Sequence, residues 1–408
     1  MHNNTAMEQR KTPLSTGHAG ACGKAATGDV QCLTSVDQIR QFSEQIEDLA
    51  ARAFSPNILN EPGFLCAAWE HLFANDPKAR ILLVWDQMQG PNPSLIGLLP
   101  LAIDSKLWGG VPLGVCFRSN MKFAGVPLLD KNRSALALDR ILASIPEVMP
   151  FPAAVLFDEV PADGEFAGAF LAAFARAGWG VRSYEGYTRV TMDATRPGEE
   201  YLAEAVSSKK RKEYRRLTNR LKDMGELAFE IVREPEHVCS AFEELLQLEK
   251  SGWKGANQTA ILDREDWSNF FRHGTAGAVR SGQVEIARLS LNGDAIAAGL
   301  VLTSGDTAWF YKIAYREDLA QYSPGVLLTL DLTKYFCERP DIRIGDSCAC
   351  DDHPMITHLW RERCQFHDLL AVPPGSPASI IFCAETMRRE ARTLLKKGYH
   401  TIKRKLRG

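Results

Sequence analysis

The sequence has no long hydrophobic run, no excess of charge of either sign and no regular cysteine framework, and each absence removes a class of protein. No segment reaches the roughly 20 apolar residues that a membrane-spanning helix needs. A formal net charge of −2 over 408 residues gives no whole-molecule field for DNA, so any basic feature must be local. The ten cysteines are scattered from Cys22 to Cys383, unlike the dense pattern of a secreted disulfide scaffold, and read as mostly buried thiols. Cys348-Ala349-Cys350 lies near His353, His358, Cys364 and His367, but zinc pairs usually leave two to four residues between ligands, so no metal is expected. Residues 1–30 carry Lys11 and Lys24 among Gly, Ala, Thr and Asn. They lack the apolar core of a signal peptide and read as a disordered tail, with the cytoplasm as the expected compartment.

What is present is a mixture of helical and strand-like patterns in two successive blocks, as the length also suggests. The first block, 31–195, opens with helical periodicity over 36–54 and 64–73. Strand-like runs follow at 79–85 and 94–103, separated by the turn Gly90-Pro91-Asn92-Pro93. A helix at 132–145, a buried strand at 153–157, a helix at 165–177 and a strand at 188–192 complete it. Arg196-Pro197-Gly198 breaks the pattern. The second block, 196–375, repeats the order: a helix over 198–224, a strand at 228–232, a helix at 235–250 and a short helix near 266–271. Then comes a meander of 284–291, 295–303 and 307–315, with Asn292-Gly293 as its hairpin signal. A helix after Pro324 and a strand at 341–344 close it. The expected fold is mixed α/β, with two similar domains that each carry a mostly antiparallel sheet flanked by helices.

The segment Gln321-Tyr322-Ser323-Pro324-Gly325-Val326-Leu327-Leu328 joins the third strand of that meander to an apolar helical pattern. The first turn of a helix presents unpaired N–H groups and the positive end of the macrodipole, so this loop is the candidate phosphate or pyrophosphate site. Three further segments stand in order around it: Ser208 to Leu217, rich in Lys and Arg; Glu249-Lys250-Ser251-Gly252-Trp253-Lys254-Gly255; and Ile344-Gly345-Asp346 with Trp360 downstream. Together, over about 201–372, they resemble the GNAT acyltransferase superfamily, in the CelD-like branch associated with cellulose biosynthesis and related to the FemAB-type aminoacyltransferases.

The resemblance implies an acyl-CoA-dependent N-acyltransferase that moves an acetyl or longer acyl group from acetyl-CoA or another acyl-CoA to a small-molecule or sugar amine, in polysaccharide or cell-envelope metabolism. It also implies that backbone N–H groups of Tyr322, Ser323, Gly325, Val326, Leu327 and Leu328, with Pro324 shaping the turn, hold the donor pyrophosphate. Main-chain groups of the strand around Tyr311 would pair with the pantetheine arm. The loop departs from the common Arg/Gln-x-x-Gly-x-Gly/Ala pattern, since Leu327 stands where a second glycine is usual. Aminoacyl-tRNA is therefore the alternative donor, and a non-catalytic scaffold of exopolysaccharide assembly the alternative role.

Acyl transfer to an amine needs a proton acceptor, an oxyanion donor and an acid for the leaving thiolate. Glu249 and Asp346, both at the ends of elements, are the candidate bases, and Tyr322 or Tyr311 the candidate acid. Trp253 and Lys254 are candidates for the acceptor pocket. On the basic helix, Tyr214, Leu217, Leu221 and Met224 define an apolar stripe, which leaves Lys212 and Arg216 among the exposed cations as candidate phosphate contacts. A second basic element, 376–408, has nine Lys or Arg and two Glu from Ala384 onward. Its local charge is 9 − 2 = +7; a solvated terminal helix is the expectation, because the apolar face is thin, and peripheral contact with the inner membrane face is the alternative.

Overall fold

The computed structural model describes residues 28–73, 76–104, 112–116 and 125–407. The first half runs β1 (Val30–Leu33), α1 (Val36–Gln41), α2 (Ser43–Ala51), α3 (Pro62–Leu72), β2 (Arg80–Trp85), β3 (Leu95–Asp104), β4 (Leu113–Cys116), β5 (Leu128–Leu129), α4 (Ser134–Val148), β6 (Val155–Pro161), α5 (Gly164–Arg176) and β7 (Gly180–Asp193). The second runs α6 (Gly198–Ala205), α7 (Ser208–Lys222), β8 (Leu227–Val232), α8 (Pro235–Ser251), α9 (Trp253–Ala256), α10 (Glu265–Ala278), β9 (Val284–Leu291), β10 (Asp294–Ser304), β11 (Thr307–Tyr315), α11 (Pro324–Glu338), β12 (Ile344–Cys350), β13 (Glu362–Val372) and α12 (Ala378–Arg407).

Local chemistry sets several of these ends. Ser35 caps α1 by accepting from the Gln38 N–H at 3.3 Å, and Pro62 and Pro324 occupy the first turns of α3 and α11, where a missing N–H does no harm. The helix expected over 36–54 is two helices, because Phe42 leaves helical geometry and sets its ring edge-on to Trp85 at 5.7 Å. The helix expected over 198–224 also divides, at buried Val206 and at Ser207, whose hydroxyl caps α7. Leu217 and Leu221 are buried as its periodicity requires, but Met224 lies past the helix end and is exposed.

The described strands form one continuous mixed sheet in the order β1-β2-β3-β4-β6-β13-β7-β12-β11-β10-β9-β8, with β5 paired to β3. Each half has an antiparallel set followed by one parallel pair, β4 with β6 and β11 with β12. Between these pairs the halves interlock: β13, from the end of the second half, lies between β6 and β7, while β7, from the end of the first, lies between β13 and β12. The strand expected at 341–344 begins where that expectation ends, because pairing with β11 and β7 fixes it at 344–350. Helices α4 and α5 cover one core of the first half, and α1 to α3 another. In the second half, α8 and α10 share a core with α3, and α6, α7 and α11 build the opposite one.

Candidate functional site

Strands β11 and β12 pair only at Thr307–Ile344, Ala308–Gly345 and Trp309–Asp346. Past those residues they diverge, helped by a bulge in β12 where Cys348 takes φ 53°. The opening is a 280 Å³ cavity lined by Phe310, Tyr311, Lys312 and Ile313 on one side and by Ser347 to Cys350 on the other, with Lys254 at its wall.

The expected donor loop follows β11. Ser323 adopts a left-handed conformation (φ 52°, ψ 50°) and turns the chain into α11, so that its carbonyl accepts from the N–H groups of Val326 and Leu327. The N–H groups of Ser323, Val326 and Leu327 are thus spent on main-chain carbonyls within the turn, and the side chains of Leu327 and Leu328 are buried in the core. Gly325 is buried against β11: a Cβ there would lie 3.2 Å from the Tyr315 ring and 3.4 Å from Ile313. Tyr322 is half-buried beside the same core. Trp360 supports α11 from below, donating its indole N–H to Thr333 Oγ1 at 2.9 Å.

Glu249 lies in the wall of this region and is buried. Its Oε1 accepts from Lys254 Nζ at 2.8 Å and Lys312 Nζ at 3.4 Å, and its Oε2 from the Ile261 N–H at 2.8 Å. Burial pushes the carboxyl pKa up, but Lys312, Lys254 and the Ile261 N–H outweigh it and the net direction is down. For Lys312, burial outweighs Glu249 and lowers the ammonium pKa. Glu249 thus holds two cations at the cavity. Tyr311 stacks on Phe271 at 5.5 Å, and desolvation, with the nearby Cys348 thiol, drives its phenol well up. Trp253 is 56% exposed, and its N–H donates to Glu317 Oε1 at 2.5 Å, which ties the α8–α9 turn to the loop before α11.

Asp346 belongs to a different wall. Its Oδ2 accepts from Arg189 Nη1 at 2.8 Å and its Oδ1 from the Cys348 N–H at 2.8 Å. Arg189, on β7 with its side chain only 2% exposed, also reaches Glu159 Oε2 at 2.7 Å and the Tyr187 hydroxyl at 2.8 Å, and lies 4.2 Å from the Phe366 ring centre. Burial disfavours its charge, yet Asp346 and the other anionic groups hold its pKa well above normal. Of this cluster, Arg189, Asp346 and Phe366 line a 660 Å³ cavity between the halves, together with Asp193, Asp306, Arg343, Glu362 and Trp309. Carboxylates outnumber cations along that lining.

Of the expected site residues, Lys254 and Tyr311 line the smaller cavity, Glu249 holds Lys254 and Lys312 at its wall, Asp346 lines the larger cavity, and the Tyr322 loop lines neither. Lys212 and Arg216 line neither cavity. They lie on the exposed side of α7, which packs against the 317–322 turn. Cys348, Cys350 and His353 line the smaller cavity and do not gather with the other cysteines and histidines into a group of three ligands among the described residues. Sequence reasoning missed Lys312, Arg189 and Glu159. The available signal was a lone cation inside an apolar strand: Lys312 in Trp309 to Ala314, and Arg189 in Tyr187 to Met192.

Residues 208–349 match the acetyltransferase (GNAT) domain family. No curated protein matches the sequence. Among solved structures, the crystal structure of FemX superposes with a TM-score of 0.55 at 11% identity, covering 81% of this chain and 95% of that one. The C-terminal domain of a putative lysylphosphatidylglycerol synthetase from Agrobacterium fabrum superposes with a TM-score of 0.50 at 13% identity, covering 85% and 96%. A tandem GNAT protein from the clavulanic acid biosynthesis pathway matches at 15% identity with a TM-score of 0.41, covering 84% and 98%. For the first two, at these identities, the likeness is one of fold.

Proposed function

Given an acetyltransferase (GNAT) domain over residues 208–349, we propose that the protein is an acyl-CoA-dependent N-acyltransferase whose donor enters the splay between β11 and β12. The observation that carries this reading is the splay itself, a slot with two lysines at its wall and Ile313, against which Gly325 of α11 packs, along one side. In this reading the pyrophosphate of a thioester donor lies toward the start of α11 and its pantetheine runs along β11. The acceptor is then an amine in the 660 Å³ cavity, where the surplus of carboxylates suits an ammonium group. A sugar amine of polysaccharide or cell-envelope metabolism falls within this class.

In the reaction, the acceptor ammonium first gives one proton to a base and thence to solvent; the free amine nitrogen then bonds to the thioester carbonyl carbon, the C–S bond breaks, and the second proton lost by the nitrogen balances the one gained by the thiolate. Lys312 and Lys254, positioned by Glu249, are assigned the developing negative charge. Asp346 is assigned the acceptor proton because it lines the acceptor cavity, and Tyr322 or Tyr311 the thiolate. The test is calorimetric titration with acetyl-CoA and longer acyl-CoAs, followed by a thiol-release assay with amine acceptors. Micromolar binding that Lys312→Met abolishes supports the reading, and absence of binding by every acyl-CoA removes it.

A second reading, aminoacyl transfer from charged tRNA, is favoured by one observation. The exposed cations of α7, Lys209, Arg211, Lys212, Arg215, Arg216 and Arg220, stand on a helix packed against the turn that precedes the donor loop. A polyanionic donor would bind there with a steep salt dependence. Titration with aminoacyl-tRNA separates the two readings, and failure of both donors leaves a non-catalytic scaffold.

We further propose that α12 rests on an anionic bilayer. Ile381 and Phe382 pack toward the sheet and Glu385 is buried with Arg388 and Arg389, whereas Ile380, Met387, Leu394 and Leu395 are 64–74% exposed at helical spacing. An apolar stripe flanked by cations is the pattern of an interfacial helix. Co-sedimentation with phosphatidylglycerol vesicles but not phosphatidylcholine vesicles, lost on Leu394→Asp/Leu395→Asp, is the expected result.

A further inference from the structure

Away from both cavities, Glu70 and His71 at the end of α3 face His273 on α10. The two helices belong to different halves, and their backbones nearly touch: a Cβ on Gly63 would lie 2.8 Å from the Ala278 nitrogen, and one on Gly277 would lie 2.9 Å from Gly63 Cα. This close approach fixes where the three side chains emerge. His71 Nε2 and His273 Nδ1 are 2.7 Å apart, and Glu70 Oε2 stands 3.7 Å from His273 Nδ1 and 4.0 Å from His71 Nε2.

The two carboxylate distances are too long for hydrogen bonds. They suit ligands that surround one ion, because zinc bonds of about 2.0–2.2 Å to imidazole and carboxylate place tetrahedral ligand atoms about 3.4 Å apart. The observed separations bracket that value. Arg40 holds the other oxygen of Glu70, which turns Oε2 toward the imidazoles in the way an outer partner orients a ligating carboxylate. His273 is 57% exposed while His71 and Glu70 are mostly covered, so one side stays open for a water ligand. Two imidazoles with one carboxylate select a transition cation over magnesium or calcium.

We propose that Glu70, His71 and His273 form a divalent transition-metal site, occupied by zinc in the first instance, that pins α3 to α10 across the two halves of the molecule. The sequence carries no spacing signal for it, since one ligand lies far along the chain from the other two. The role is structural: a bound ion adds its binding free energy to the association of the halves. It is independent of the acyltransferase reading.

The test uses the full chain, stripped with EDTA, desalted and titrated with zinc chloride. Expected results are one zinc per chain by elemental analysis, a rise of the thermal midpoint by several degrees with one equivalent of zinc, and loss of both in His273→Ala. Because the His273 side chain is largely solvent-exposed, that variant should keep the metal-free midpoint of the parent. Glu70→Gln should weaken zinc binding about tenfold, in line with removal of a charged ligand. Absence of retained zinc, or equal binding by His273→Ala, overturns the proposal. A parent midpoint indifferent to zinc overturns it too and leaves the histidines as a hydrogen-bonded pair.

Discussion

The two halves of the sheet share a plan and differ at its most consequential point. Each ends its antiparallel set in a parallel pair, β4 with β6 or β11 with β12. In the first half the described residues past that pair are bonded to each other. The Gly125 N–H donates to the Asp158 carbonyl at 2.7 Å, and Val126 is buried in the core beside it. In the second half the gap past the pair is open and polar, with Lys312 and Lys254 held at its edge by Glu249. One plan has thus given bonded segments on one side and a slot on the other. The strand order is common to both, so the difference does not come from topology.

The largest way to break this comparison is at the seam that both halves share. Arg189→Met leaves Glu159 and Asp346 without their buried cation, and the loss of unfolding free energy should be about 3–5 kcal/mol by denaturant titration. An unchanged midpoint would mean that the halves are not joined through this residue. Glu249→Ala comes next, at about 2–3 kcal/mol, because Lys254 and Lys312 keep 23% of their side chains in solvent and recover part of the lost partner from water.

A paired experiment then separates the two gaps. Gly125→Ala places a Cβ 2.9 Å from the Asp158 carbonyl oxygen, so it should cost about 1–3 kcal/mol of stability and leave acyl-CoA affinity alone. Gly325→Val crowds Tyr315 at the start of α11 and should weaken acyl-CoA binding about tenfold or more by calorimetry, with the circular dichroism spectrum retained. If the two variants showed the same profile, the two gaps would not differ in function.

The smallest effect is a pH dependence. The folded-state pKa of Glu249 is lowered, so its contribution to stability is fully present above 4.5, the ordinary value for the group, and is lost as the pH falls through the lower folded value. The stability gap between the parent and Glu249→Gln should therefore be constant above pH 4.5 and narrow below it. A gap that widens toward acid would show that the lysines do not hold this carboxylate ionised.

Much of this was legible in the chain. The meander from Val284 to Tyr315 and its Asn292-Gly293 turn could be read from alternation and turn chemistry, which are local. Glu249 and Lys254 could be singled out for their place at a helix end, yet their ion pair with Lys312 could not, because Lys312 lies on a distant strand. Strand β13 escaped notice for a related reason. Glu362 to Val372 lies between two strands of the other half, with a bulge that upsets its alternation, and its burial comes from neighbours that its own sequence does not specify.

The sequence by itself determined most of the helices, the meander with its Asn292-Gly293 hairpin and the glycine-bearing turn into α11, since each rests on periodicity or on backbone chemistry within a few residues. Tertiary structure alone decided that β7 and β13 cross between the halves, that Arg189 is shared by Glu159 and Asp346, and that the described residues past one parallel pair bond to each other while those past its counterpart leave a slot. Those outcomes depend on strand pairing and desolvation between residues far apart in the chain, where the energy of a charge or an unpaired N–H is set by what surrounds it.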